Sequence, residues 1–509
     1  MKAYWEEERK NHKPFESVSN NLDVSVCVIG GGLTGLSTAY YLSKNTDVIV
    51  VEKDEIGSKT SGKNTGKVTS QHGLFYKYLI ESNGIKYAKK YLEANEKAIK
   101  SIEDIILKEE IDCDFEIENS YVFTQKETNV DKLKKEQKAV EKLNKNISEF
   151  VEKVPLPLEV KGAIEFKNQA KMNPVKYCYG LARSILKNNG RIFENSKVSD
   201  IRKKNGRYEV IVNKNKITAD YVVIATRYPI MKVPGYYFLK MYQSTSFAIV
   251  VDPKEKLFDG MYINCEEPQV SFRKINEKEV KAEVNKKGFE REKELLQIVG
   301  YDYKTGTDSI KNGYLRLEQI ARKMYPNLEV LYKWSAEDCI TLDKIPYIGE
   351  FSSLMPNVYV IAGFNKWGLT SSNIAANIIK DKILKNDNEY EDLFNSKRMN
   401  LIKNRQEVEN MLKEANKSIL LSKFKTPKEG YEDIEIGEGK IIELNNEKVG
   451  VYKSNTGEIF KVKPICPHLG CELYFNNIDK IWECPCHGSK FTCDGNVIEV
   501  PSNKDLEKY

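Results

Sequence analysis

Two short clusters of cysteine and histidine constrain this chain more than anything else in its 509 residues. Cys466-Pro-His468-Leu-Gly-Cys471 is followed, with fifteen residues between His468 and Cys484, by Cys484-Pro-Cys486-His487-Gly-Ser489. The chain has only four histidines, and two of them sit here. The spacing C-x-H and then C-x-x-H supplies two thiolates and two imidazoles, from Cys466, His468, Cys484 and His487. That donor set suits either a tetrahedral zinc ion or a two-iron cluster with sulfur ligands on one iron and nitrogen ligands on the other. A zinc knuckle requires neither the additional Cys471 and Cys486 nor the Gly-Ser after the last ligand. Iron is therefore the preferred reading, with zinc as its alternative.

The segment from 432 to 509 resembles the Rieske [2Fe-2S] domains of cytochrome bc complexes, on both ligand pairs and the residues around them. The resemblance implies a small all-β domain. It also implies that Cys471 and Cys486 join the two cluster loops by a disulfide and that Ser489 hydrogen-bonds a bridging sulfide. High-potential members carry a tyrosine two residues after that serine, where this chain has Phe491. Hydrogen bonds to cluster sulfur favour the reduced, more negative state, so a potential below the top of the Rieske range is expected.

Composition excludes several classes. Eighty basic and seventy-four acidic residues leave a net charge of +6, and the lysines are interleaved with glutamates instead of gathered in a block. This is a solvated surface and not a nucleic-acid or membrane footprint. No run approaches eighteen apolar residues, and the opening Met1-Lys-Ala-Tyr-Trp-Glu-Glu-Glu is no signal peptide. Cys27, Cys113, Cys178, Cys265 and Cys339 are scattered, unlike a secreted disulfide scaffold. A soluble, cytoplasmic chain of two or three domains is the expectation.

Near the front, the apolar run Val24–Ile29 leads into Gly30-Gly-Gly32-Leu33-Thr34-Gly35 and a helical stretch. Gly30 permits the tight turn, Gly32 lets backbone approach a pyrophosphate, and Gly35 allows helix to pack on strand. A second strand, Asp47–Val51, ends in Glu52-Lys53, placing an acid for the adenosine ribose hydroxyls. NAD and FAD share this fingerprint, and later segments favour FAD. They are the small-residue loop holding Thr60, Ser61 and Gly62; Val198 before a returning strand that ends Ala225-Thr226; and the strand, turn and helix start holding Gly363, Lys366, Gly368, Leu369 and Thr370. The last helix N-terminus suits the electron-rich edge of a reduced flavin.

These segments, in this order, resemble the D-amino-acid oxidase and glycine/sarcosine oxidase family of FAD-dependent oxidoreductases across roughly residues 22 to 385. The resemblance implies an α/β, Rossmann-like FAD-binding domain from 22–75, 160–230 and 331–387, with an α+β substrate domain made of a helical cap (76–159) and an antiparallel sheet (231–330). A leader (1–21) precedes these, and a connector (388–431), helical over Leu401 to Ala415, leads to the Rieske domain, where Ile434-Glu-Ile436 reads as a first strand. One departure stands out: the returning strand ends Ala-Thr226-Arg227 where the family has Ala-Thr-Gly. No residue matches the family's covalent attachment point, so FAD is expected to be noncovalent, with linkage through His72 as the alternative.

A flavin accepts two electrons and a Rieske centre passes one at a time, so a chain bearing both suggests a converter. A small amine or amino acid would reduce FAD, and the cluster would hand electrons to an external protein or quinone-type acceptor. Candidates near the flavin are His72, Lys366 and Tyr262. Each also has an ordinary structural reading: a satisfied loop histidine, a surface cation and sheet packing. A Rieske oxygenase needs a further iron on two more histidines and a carboxylate, and only His12 and His72 remain. Two rivals stand: an electron-transfer or redox-sensing protein without small-substrate turnover, and an oxygen-using amine oxidase whose cluster is structural.

Overall fold

The computed structural model describes residues 3–277, 293–307, 312–398 and 430–509. Two large sheets and a small β-domain organise these residues. The first sheet runs Tyr347–Glu350, Val358–Ala362, Asn215–Ile224, Leu22–Ile29, Val48–Val51, Arg191–Phe193, its last four neighbouring pairs being parallel. Its central strand, Leu22–Ile29, is apolar at most positions because both faces are covered: Val26 and Val28 pack with the helices, and Val24, Cys27 and Ile29 with Ile201, Tyr208 and Val210 of neighbouring strands. The helices Leu33–Leu42 and Gly368–Ile383 pack on each other across one face, where the Thr34 and Ser372 hydroxyls lie 3.0 Å apart.

The second sheet runs Glu329–Thr341, Met241–Asp252, Lys293–Lys304, Val270–Glu277, Met261–Asn264, Glu116–Thr124, Gly162–Lys171, Lys67–Val68, with Ser148–Val151 paired to Gly162–Lys171. It is antiparallel except where Met261–Asn264 runs parallel to Glu116–Thr124. The sequence assignment therefore needs correction in four places. Residues 67–68, 162–171 and 331–341, read as nucleotide-domain segments, belong to this second sheet. The supposed helical cap contributes the strands Glu116–Thr124 and Ser148–Val151 beside its helices Tyr76–Asn83, Ile85–Lys108 and Glu127–Leu143. For 331–341 and Glu116–Thr124 the strand's partner lies far away in sequence, and local periodicity does not reveal it.

The leader packs against the body of the chain. Ala3 and Trp5 are buried, the Trp5 indole N–H donates to the Asn64 carbonyl at 2.8 Å, and the His12 ring stacks on Tyr179. The helical reading of Leu401 to Ala415 lies outside the described residues. Ile434–Ile436 forms a bend and turn instead of a strand, and its apolar residues divide, Ile434 buried and Ile436 exposed.

The last domain pairs a three-stranded sheet (Gly439–Leu444, Glu447–Lys453, Ile459–Val462) with a four-stranded one (Tyr474–Asn476, Ile481–Glu483, Lys490–Thr492, Val497–Glu499). Its core gathers Trp482, Phe475, Phe491 and Leu506 around Cys466, Cys471, Cys484 and Cys486. Among the described residues no helix is long and apolar enough to cross a membrane.

Candidate functional site: a dinucleotide cavity against a cysteine–histidine centre

A cavity of about 590 Å³, within the size range of ligand sites, opens at the carboxyl ends of the parallel strands. Its pyrophosphate end is the glycine turn. A Cβ on Gly30, whose φ is +111°, would fall 2.6 Å from the Ala225 carbonyl oxygen, and one on Gly32 would fall 2.8 Å from Ser61 Oγ. The helix beginning at Leu33 has no side-chain cap, and its Leu33 N–H donates to Ser61 Oγ at 2.9 Å. Glu52 is buried and accepts from the backbone N–H groups of Gly31 (2.7 Å) and Asp54 (2.9 Å), holding the glycine turn to the second strand. Burial pushes its carboxyl up from the ordinary range.

Of the residues read from sequence as cofactor-binding, Gly30, Gly32, Leu33, Thr34, Glu52, Lys53, Thr60, Ser61, Val198, Ala225, Thr226, Gly363, Lys366, Gly368 and Leu369 line this cavity. Gly35, Gly62 and Thr370 do not, and the two glycines act by close packing. A Cβ on Gly35 would meet the Gly30 carbonyl oxygen at 1.8 Å, and one on Gly62 would meet that of Gly57 at 2.3 Å. Thr370 is buried in its helix. This glycine cradle, flanked by two helix starts without side-chain caps, fits FAD.

The three catalytic candidates separate. Lys366 lines the cavity and pairs with Asp302 at 2.8 Å. His72 lies behind it, stacked on Trp367, with its ring nitrogens 2.9 Å from the Tyr91 hydroxyl and 3.0 Å from the Thr69 carbonyl oxygen. Burial lowers its pKa to about 3. Neither His72 nor Tyr262 is among the cavity's lining residues. Tyr262 is fully buried in the second sheet, stacked on Tyr121 and donating to the Asp259 carbonyl, because its strand is an interior one. Sequence reading missed Lys67, Asp338 and Cys339, which do line the cavity. Lys67 Nζ donates to the Tyr262 carbonyl at 2.8 Å, and burial together with Arg273 holds its amine well below the usual lysine range.

In the small domain the disulfide joins Cys471 to Cys486. Cys466 and Cys484 remain free and buried, and the thiols bond each other. That bond brings Cys466 down to about 7 and pushes Cys484 well up. The rings of His468 and His487 lie 5.0 Å apart, and burial lowers their pKa values to about 3 and 4, which keeps both imidazoles neutral as metal ligands must be. Nδ1 of each histidine is buried without a hydrogen-bond partner. Two orphaned nitrogens opposite two free thiols fit a [2Fe-2S] cluster. Ser489 is buried beside Cys466, and its Oγ accepts from the Ser502 N–H at 3.0 Å.

Phe491 is fully buried on the strand Lys490–Thr492. Phe491→Tyr is expected to raise the cluster's potential if its hydroxyl reaches a sulfur. A hydrogen bond to a charged group contributes about 1.5–3 kcal/mol, which for one electron corresponds to about 60–130 mV as an upper bound. Redox titration followed by EPR measures it, and an unchanged potential removes Phe491 as the cause of a low value.

The histidine edge of this centre faces the nucleotide-binding part of the chain. The Phe238 ring meets His468 and His487 edge-on, at 6.1 and 5.8 Å between centroids. Lys232 donates to the His468 carbonyl, and Gln243 donates to the carbonyls of His487 (2.9 Å) and Val500 (2.6 Å). Tyr228 is buried between the two sites. Burial pushes its hydroxyl well up, and Cys339 at the cavity and Cys484 at the centre both add to the rise. Beneath this contact lies a buried ionic cluster. Lys490 sits 2.9 Å from Glu337 and 3.1 Å from Glu483, while Arg227 sits 2.8 Å from Glu499 and 3.5 Å from Glu337. Arg227 is the residue standing where the returning strand was expected to end in glycine. That departure was its only sequence signal.

Comparison with known proteins agrees with both sites. The family described as FAD dependent oxidoreductase (DAO) matches residues 25–382, and the Rieske [2Fe-2S] domain matches residues 429–509. Bacillus subtilis (strain 168) YhfW, named as a Rieske 2Fe-2S iron-sulfur protein, is 33% identical over 497 residues, covering 97% of this chain and 95% of its own. Gamma-glutamylputrescine oxidoreductase of Escherichia coli (strain K12) is 22% identical over 77% of this chain and 91% of its own. Among solved structures, glycine oxidase from Geobacillus kaustophilus shares the fold with a TM-score of 0.59 and 18% identity, over 74% of this chain and 99% of its own.

Proposed function

The chain belongs to the DAO family of FAD-dependent oxidoreductases and carries a Rieske [2Fe-2S] domain, and on that premise we propose that it oxidises a small amine or amino acid in the cytoplasm and passes the electrons singly through the cluster to an external acceptor. When bound, FAD supplies hydride acceptance and the cluster supplies one-electron transfer. What carries the reading is a single cavity whose wall is shared by the dinucleotide fingerprint and the cluster-bearing domain.

The chain's own residues suit an amine. An amine gives up hydride only when its nitrogen is uncharged, and the cavity already disfavours a charged amine at Lys67, where burial and then Arg273 hold the pKa well below the usual lysine range. A substrate nitrogen beside it meets the same penalty. Phe364 adds apolar wall and Lys366, tied to Asp302, adds a fixed positive charge. The names of two relatives, gamma-glutamylputrescine oxidoreductase and glycine oxidase, point to the same substrate class.

One observation favours the second reading, an electron-transfer or redox-sensing protein. Among the described residues lining the cavity, the arginine that could clamp a substrate carboxylate is Arg227, and it is paired with Glu499. The two readings are separated by anaerobic titration with amines and amino acids, following the flavin band and then freeze-quenched EPR. Bleaching followed by filling of the cluster is expected. Reduction by none of them, but by NADPH with a carrier, overturns the amine reading.

A further inference from the structure

The stretch Val497–Asn503 belongs to the small β-domain, yet Val497, Glu499, Val500, Ser502 and Asn503 line the cavity described above. They face the adenosine end, opposite Glu52, Lys53, Lys197 and Val198. The stretch is held there by donors from the rest of the chain. Lys53 Nζ donates to the Ile498 carbonyl at 3.2 Å, and Lys197 Nζ to the Asn503 carbonyl at 3.2 Å. Arg227 bonds the Glu499 carboxylate at 2.8 Å, with Lys59 at 3.8 Å from its other oxygen, and Gln243 reaches the Val500 carbonyl. Strand pairing inside the small domain does not require these contacts, since Val497–Glu499 already pairs with Lys490–Thr492.

We infer that the cluster domain is itself part of the FAD site, with residues 497–503 forming the wall over the adenosine half of the dinucleotide. Lys53 and Lys197 are the hinge points of that wall, since each lines the cavity and also grips the backbone of the stretch. Docking of the cluster domain and retention of FAD then stabilise each other, because a ligand that contacts only the docked arrangement shifts the equilibrium toward it. The same contacts that keep the dinucleotide in place keep the histidine edge of the cluster on Phe238. The inference does not depend on the identity of the substrate.

The test uses the full chain with its cluster intact, deflavinated and then titrated with FAD. Hydrogen exchange at the backbone N–H groups of 497–500, 502 and 503 is expected to slow at least tenfold when FAD is added. Gln243→Ala, which removes two bonds across the seam without touching the cavity, is expected to raise the FAD dissociation constant more than threefold, read by flavin fluorescence, with the cluster's EPR line shape unchanged. Exchange that ignores FAD, or a change in FAD affinity under threefold, overturns the inference. Should Gln243→Ala fail to fold, the exchange measurement on the unaltered chain decides alone. A chain that takes up no flavin overturns the inference together with its family premise, and the absent yellow chromophore distinguishes that failure.

Discussion

Lys490→Met is expected to destabilise the docked cluster domain by about 3 kcal/mol, at the lower end of the roughly 3–5 kcal/mol that follows loss of one partner from a buried ion pair. Lys490 is almost fully buried between Glu337 and Glu483, so its removal strands two carboxylates away from water. Neither is left bare. Glu337 retains Arg227 at 3.5 Å and Lys63 at 3.9 Å, and Glu483 retains the Gly306 N–H at 2.9 Å and the Tyr303 hydroxyl at 3.2 Å. For a domain of this size the loss corresponds to a fall in melting temperature of about 10 °C or more. Calorimetry of the holoprotein reads it, and a fall of only a degree or two means that the ionic cluster does not hold the domain.

Acid alone is expected to act more weakly than this substitution. Burial pushes the Glu337 carboxyl up, but Lys490, Lys63 and Arg227 outweigh it and hold the group well below the ordinary carboxylate range. A carboxyl with a depressed folded pKa contributes stability that is complete above its unfolded value of about 4.3. That stability is lost only as pH falls from there toward the folded value. Docking stability is therefore flat from neutrality down to about pH 5 as far as Glu337 is concerned.

The parts of this protein legible from sequence are those where chemistry demands fixed spacing. The glycine turn, Glu52 and the four candidate cluster ligands each follow from a short run of residues, the Cys471–Cys486 pair was implied by the Rieske resemblance, and the structure brings each of these together. Tyr262 shows the opposite case. Its alternating strand could be read, but which face and which neighbours it would have depended on pairing with Glu116–Thr124, some 140 positions earlier. The same non-local pairing hid the membership of 162–171 and 331–341 in the second sheet. Arg227 lies between these extremes. The missing glycine was visible as an anomaly, but its cause was not, because the carboxylate it serves lies 272 residues away. A composite fold has local signatures for its parts and none for the seam between them.

Removal of His487, a proposed cluster ligand, is expected to separate substrate oxidation from electron export. In His487→Ala the backbone carbonyl that accepts from Gln243 remains, and so do Lys490, Arg227 and the disulfide, so the small domain has its main anchors in place. One of the two orphaned imidazole nitrogens is lost, however, and nothing among the described residues replaces it. Loss even of a residue supporting a metal ligand costs about 10–100-fold in metal affinity, so loss of the ligand itself is expected to cost more than the upper figure. Iron and labile sulfide should fall with the EPR signal. The flavin band should still bleach anaerobically with the amine that reduces the unaltered chain, since His487 does not line the cavity. Turnover with a one-electron acceptor should drop more than a hundredfold. If His487→Ala instead consumes substrate at the original rate and returns an equal amount of hydrogen peroxide, the cluster is structural, oxygen is the acceptor, and the relay between the two sites does not exist.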